Sequence, residues 1–392
     1  MDSSHTGGSV SYGEKVLNFV REVIEKYGPR LAGSKGEMKA GEHIYKLMSK
    51  FCDEVWKDWY VSRPRGFTDY IWVVFSLYLL GAISYFMGFW AAITVFAFIG
   101  LLVFILQQCL LYEVVDFLFP KVREFHVVGK ILPRNKPKYR ILLSAHYDSP
   151  YVFPLLSRLR MKSPYLILST VAIVIATGLL GLLRYFYNVD LVQKPLLVMG
   201  SGLLFVIAAF LRSSKVSPGA NDNLAGVGVV LEAGRYLSAN RLKNTEVWIV
   251  AFAGEEHMRG SKRFVKKYFN ELKDTILFNF ECPSSDYFLV TTEEKMFFAK
   301  HSQKAVEIAR KACEKVKADF KVGPLSFAGS DAANFSRKGL HATTIFGLAL
   351  DGAPYYWHTL EDVPENLKPE SLTKAVEIAI EIAKIVDEMD SI

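Results

Sequence analysis

From Tyr70 to Tyr112, 43 residues pass without a single Asp, Glu, Lys or Arg. Charge is also missing from the 21 residues Ser163 to Leu183 and the 17 residues Pro195 to Leu211. As one helix the first run would extend about 64 Å, twice the ~30 Å hydrocarbon thickness of a bilayer, so it reads as two spans turning near Met87-Gly88. Buried core helices are the alternative, but runs this long, carrying Trp72, Tyr85 and Trp90, fit membrane spans better. Four spans are predicted, at about 70–88, 90–112, 163–183 and 195–211. They form two hairpins (67–120 and 151–217) and together a four-helix transmembrane bundle of a multi-pass integral membrane protein. Neither hairpin is N-terminal, so neither reads as a cleaved signal peptide.

Cysteine is scarce as well. Cys52, Cys109, Cys282 and Cys313 show no metal-ligand spacing and Cys109 sits inside an apolar run, which excludes a disulfide framework. The net charge of +7 comes with no basic-aromatic motif, so no nucleic-acid partner is expected. Much of the excess flanks the apolar runs at Arg63, Arg65, Lys121, Arg123, Arg158, Arg160, Lys162, Arg212 and Lys215, where membrane lipid with anionic headgroups is the expected partner. Only Arg184 and Lys194 lie at the opposite ends, and by this asymmetry the non-membrane part is expected in the cytoplasm, with an extracytoplasmic domain as the alternative. The Ser/Gly-rich residues 1–13 read as a disordered tail.

Without the hairpins 271 residues remain (1–66, 121–150 and 218–392), enough for one discontinuous α/β domain. Helical patterns at 13–26, 35–51, 223–239, 261–272, 299–317 and 369–389 alternate with strand-like runs at 55–61, 124–132, 140–145, 245–253, 275–281 and 342–348. Fully apolar strands such as ILLSA and VWIVAFA predict a mixed, mostly parallel sheet with helices on both faces.

Ligands of open α/β sheets bind beyond the carboxyl ends of the strands. After 140–145 come His146 and Asp148; after 245–253 come Glu255 and Glu256. Strand 275–280 ends on Glu281, His358 follows the last strand, and Asp222 opens a helix. Each has an ordinary explanation: a hydrogen-bonded structural histidine, a helix cap at Asp222, an exposed glutamate pair. Glu281 resists one, because a charge closing an apolar strand needs a partner. Their coincidence at equivalent strand ends suits Zn²⁺, or Mn²⁺ or Co²⁺, in a hydrolytic site. No Ser or Cys triad is visible.

SAHYDSP, SPGANDNLAGV, FAGEEHMRGS, FNFE and YWHTLEDVPENL, in this order, resemble the M28 family of zinc peptidases, and GPRLAGSKGEMKAGEHI resembles its opening helix region. The resemblance covers the 271 residues and neither hairpin. It implies a zinc-exopeptidase-like fold, two Zn²⁺ as cofactors and a peptide substrate, cleaved by an aminopeptidase. His146 and Glu281 would hold one ion, Glu256 and His358 the other, and Asp222 would bridge them. Asp148 would orient His146 and Glu255 would be the general base. Glu281 stands where many relatives have Asp. Asp331 matches a segment near the substrate pocket, with helix capping as the alternative. Two other functions stay open: a non-catalytic receptor or scaffold, and a glutaminyl-cyclase-like transferase with one zinc. The placement of the hairpins suggests hydrophobic or membrane-derived peptides as substrates, with passive anchoring as the alternative.

Overall fold

The computed structural model describes residues 10–389. Strands β1 (Glu54–Ser62), β2 (Val122–Ile131), β3 (Tyr139–His146), β4 (Thr245–Phe252), β5 (Thr275–Glu281), β6 (Tyr287–Glu294), β7 (Ala299–Lys300), β8 (Phe320–Leu325) and β9 (His341–Leu348) form one sheet. Its order is β1-β2-β4-β3-β5-β9-β6-β7, with β8 also paired to β6. The centre, β4-β3-β5-β9, is parallel; β1 and β2 on one side and β6 on the other join it by antiparallel pairing, and β8 runs parallel to β6.

The longer helices are α1 (Tyr12–Tyr27), α2 (Lys35–Met48), α3 (Arg65–Phe86), α4 (Trp90–Cys109), α5 (Ser163–Leu183), α6 (Asp190–Phe210), α7 (Ala225–Ala239), α8 (Gly260–Tyr268), α9 (Gln303–Lys315) and α10 (Pro369–Asp387). Helices α1, α2, α7, α9 and α10 bury one face of the sheet around Ile141, Leu143, Ile249 and Phe278. Phe264 of α8 and Phe335 close the other face over Leu142, Trp248 and Phe252. Both faces being covered explains why the central strands are apolar throughout rather than alternating.

Sequence and structure part company in several places. Strands β6, β7 and β8 escape the pattern reading because Glu293-Glu294 and Gly323-Pro324 interrupt it. Pro324 is accommodated on an edge strand, and buried Glu294 accepts from the Ser330 amide at 2.9 Å and hydroxyl at 2.5 Å. Ser11 caps α1 through the Glu14 amide, so helix begins within the expected tail, of which residues 1–9 lie outside the described residues. Helix α4 stops at Cys109 rather than 112, where Leu111 and Glu113 adopt positive φ. Helix α6 begins at Asp190, before Pro195, because its first-turn charges find partners. Asp190 lies 3.0 Å from Lys194 and 3.3 Å from Arg184, and accepts from the Tyr85 hydroxyl at 2.5 Å.

Helices α3 to α6 are long and apolar enough to cross a membrane. They pack as a ring, each against two neighbours: α3 on α4, α4 on α5, α5 on α6 and α6 on α3. Close approach depends on Gly181, where a Cβ would stand 2.4 Å from Thr94 Oγ1. Ion pairs lock this bundle to the sheet domain. Buried Arg259 holds Asp116 at 2.9 and 3.1 Å, while within the bundle Arg65 and Arg212 both bond Asp69. Arg160 pairs with Asp351 at 2.6 Å, and Arg63 donates to the Phe117 carbonyl at 2.8 Å. Four of the flanking cations therefore meet protein acceptors rather than standing free for headgroups.

Glu113, just past α4, accepts from Lys262 at 2.6 Å and from Arg263 at 2.8 Å. Burial disfavours its carboxylate, but these two cations override that and hold its pKa down to about 2. The stability it adds is complete above the ordinary value of 4.5 and is lost as pH falls from there through about 2. Glu113→Gln is expected to cost about 2 kcal/mol at pH 7, allowing for solvent screening, and little at pH 2. Thermal midpoints of both proteins across that range check it.

Candidate active site

All seven candidate residues meet at the carboxyl edge of the parallel strands. His146 is the last residue of β3 and Glu281 the last of β5, while Glu255 and Glu256 occupy the turn after β4. His358 comes from the loop after β9, and Asp222 from the bend that leads into α7. That bend is not helical as the sequence suggested: Asp222 and Asn223 depart from helical φ/ψ and their shared peptide is cis. Asn223 instead donates to Glu281 Oε2 at 2.6 Å and to the Phe280 carbonyl at 2.8 Å. Asp222 caps nothing; its carboxylate faces the imidazoles.

The two oxygens of Asp222 point at different pairs. Oδ1 lies 3.2 Å from His146 Nε2, which is itself 3.3 Å from Glu281 Oε2. Oδ2 lies 3.5 Å from His358 Nε2, which is 3.6 Å from Glu256 Oε2. Glu255 Oε2 stands 3.7 Å from His146 Nε2. His146 Nδ1 lies 3.2 Å from the Asp148 main-chain carbonyl. A carbonyl only accepts, so Nδ1 carries a hydrogen and Nε2 is the ring atom that faces the acids. The carboxylate of Asp148 also accepts from the Glu255 amide at 3.3 Å and the Glu256 amide at 3.2 Å. One buried residue thereby sets both the imidazole of β3 and the turn of β4.

Sequence reasoning missed the residues that support Asp222. Both carboxylate oxygens of Asp362 accept main-chain amides, Asn221 at 2.6 Å and Asp222 at 3.1 Å. Burial, then Asp222, pushes the Asp362 pKa up to about 7. Arg30, fully buried, donates to the carbonyls of Tyr147 (2.8 Å), Pro218 (2.7 Å) and Gly219 (2.7 Å). A planar fork of five donors can do this and an ammonium cannot. Arg30→Met should leave those carbonyls unmet and cost about 3 kcal/mol, read as a drop in thermal midpoint. Phe153, at the start of the second insertion, donates its amide to the His358 carbonyl at 3.1 Å and packs its ring 4.4 Å from the imidazole. Cys282 has no metal-ligand spacing in the sequence, yet its sulfur gathers with Asp222 and Glu281. Burial pushes that thiol well above its usual pKa, which keeps it neutral. Asp331 is buried with neither oxygen hydrogen-bonded, and Ser330, not Asp331, caps the helix there.

The electrostatics call for a cation. Burial, reinforced by neighbouring carboxylates, raises Glu255, Glu256 and Glu281 above their usual pKa. Burial opposes charge on His146, yet Glu281, Asp148 and Asp222 raise its pKa well above the usual value. His146 Nε2, Asp222 Oδ2 and Glu256 Oε1 are buried without hydrogen-bond partners. His146, Asp222 and Glu256 offer ligand atoms within 4.8 Å of one another. Orphaned imidazole and carboxylate donors converging in this way fit divalent zinc.

Residues 201–383 match the model of Peptidase family M28. The matched stretch contains Asp222, Glu255, Glu256, Glu281 and His358, and begins after His146 and Asp148, which the fold brings to it. Solved structures show the same fold. A zinc aminopeptidase from Bacillus subtilis is 16% identical, with 95% of each chain covered and a TM-score of 0.57. A Zn-dependent exopeptidase from Parabacteroides distasonis is 14% identical, covering 95% of this chain and 97% of that one, TM-score 0.57. A glutaminyl cyclase from Porphyromonas gingivalis is 13% identical, covering 96% and 100%, TM-score 0.59. No curated protein matches the sequence.

Proposed function

We propose that the chain is a membrane-anchored di-zinc metallopeptidase, acting as an aminopeptidase on peptide substrates. The observation that carries this is the two-sided Asp222 carboxylate, each oxygen turned to its own His–Glu pair. His146 and Glu281 would hold one ion and Glu256 and His358 the other, with Asp222 between them. Bound there, two zinc ions would polarise the scissile carbonyl and acidify a water. Glu255 has no place in either pair, and as general base it takes the proton of the attacking water and delivers it to the leaving amine. Asp148 fixes the His146 tautomer and the Glu255-Glu256 turn through the bonds given above. The four apolar helices cross the bilayer, and the flanking cations set the catalytic domain on the cytoplasmic side.

The test is metal content and its consequence. Purified protein is expected to carry two zinc ions per chain, to lose hydrolysis of an unblocked dipeptide on chelation, and to regain it with Zn²⁺. A chain without metal would point to the receptor reading. One zinc per chain together with cyclisation of an N-terminal glutaminyl peptide would make it a cyclase. Protease accessibility in oriented vesicles checks the sidedness.

A further inference from the structure

The candidate metal site does not open only to solvent. A cavity of about 700 Å³ runs from Asp222, Glu256 and His358 into the interior of the α3–α6 ring. Along α5 its wall continues from Ser163 to Val174. At 1.5 Å per residue that is about 16 Å, half the hydrocarbon thickness of a bilayer. Val74, Gly100 and Leu204 on the other three helices line it at the same end.

Resting on the metallopeptidase reading above, we infer that this cavity holds a long hydrocarbon chain attached to the scissile amide, so that the substrate is a lipid-modified amino acid or peptide. Wall chemistry favours a hydrocarbon chain over an extended peptide segment as the occupant. An extended peptide would bring an amide with every residue to a wall that is mostly apolar and offers few polar partners, among them Gln108 and Tyr70. Three of the wall hydroxyls are committed locally: Thr170 donates to the Leu166 carbonyl at 2.8 Å, Ser163 to the Arg160 carbonyl at 2.9 Å, and Thr68 to Asp69 at 3.1 Å. A hydrocarbon chain asks nothing of these groups. A zigzag chain of ~1.5 Å bonds fills 16 Å with roughly a dozen carbons.

The chain can sit on either side of the amide, and two substrate series distinguish the sources. Leucine alkylamides carry it on the amine side and N-acylglycine amides on the acyl side, each with two to sixteen carbons, at a fixed mole fraction in detergent micelles. In both, water cleaves the C–N bond to give a carboxylate and an amine. For one series kcat/KM should rise by up to about four-fold per CH₂ and level off near a dozen carbons. Gly100→Leu and Val174→Trp, which fill the cavity, should shorten the optimal chain by several carbons. Leu182→Trp, exposed on the outer face of α5, should not. Equilibrium binding of the same compounds to Glu255→Gln should follow the same length profile, independently of turnover. Two flat series beside normal dipeptide hydrolysis would overturn the inference and leave the peptidase reading intact. So would a purified phospholipid that stays in the cavity and is not displaced by either series. Zinc-loaded protein that cleaves neither series nor the dipeptide would remove the peptidase reading itself, and this inference with it.

Discussion

Glu255→Gln is expected to keep both metal ions and lose at least ~10²-fold in turnover, the usual scale of a positioned general base. The side chain is buried and stands 3.7 Å from His146 Nε2, close to the ligand cluster yet outside the two pairs facing Asp222. Its main-chain amide, not its carboxylate, bonds Asp148, so an amide side chain leaves the turn undisturbed. Glutamine keeps the shape and forfeits the proton acceptor. The loss should therefore fall on kcat, with metal stoichiometry and thermal midpoint close to the parent. Turnover within a few-fold of the parent would remove Glu255 from the role of base and reopen Asp331, a buried acid with neither oxygen hydrogen-bonded whose charge acts on Glu255.

What the sequence discloses and what it hides follow from how each feature is encoded. Apolar strands and charge-free runs carry their burial in composition, so β3, β4, β5 and the helices α3 to α6 are legible within a few residues. Chemistry placed at strand ends is legible for a similar reason, since a charge closing an apolar strand has few uses. His146, Glu255, Glu256 and Glu281 all sit in such positions. Support at long range leaves no local signature. Arg30 lies 117 residues from Tyr147 and 189 from Gly219, and nothing near it marks it as a buried clamp. Asp362 looks like one more acid in a polar loop, though it holds the amides that set Asp222. Strands β6 and β8 are hidden because a buried glutamate and an edge proline contradict the rules by which strands are recognised. The Phe153 amide on His358 is likewise invisible, because it joins an insertion to a ligand loop only in three dimensions.

Asp222→Ala should empty both metal positions, whereas His358→Ala should empty one. The argument lies in the geometry of a single carboxylate. Oδ1 faces His146 and Glu281, Oδ2 faces His358 and Glu256, so Asp222 adjoins both pairs. Removing it leaves each position with two protein donors, below the three that catalytic zinc sites keep. It also withdraws a charge around which the remaining acids are packed. Removing His358 strips one donor from one position and leaves His146, Glu281 and Asp222 in place, supported by Asn223 and Asn279 on Glu281. Zinc per chain, measured after dialysis against metal-free buffer, should read near two for the parent, one for His358→Ala and zero for Asp222→Ala. Hydrolysis should fall by at least ~10³-fold for Asp222→Ala, because the water and the carbonyl lose their metal activation together. A full complement of zinc in Asp222→Ala would show that the ions, if bound by these residues at all, do not share a bridging carboxylate, and the two-metal mechanism would have to be abandoned for this chain.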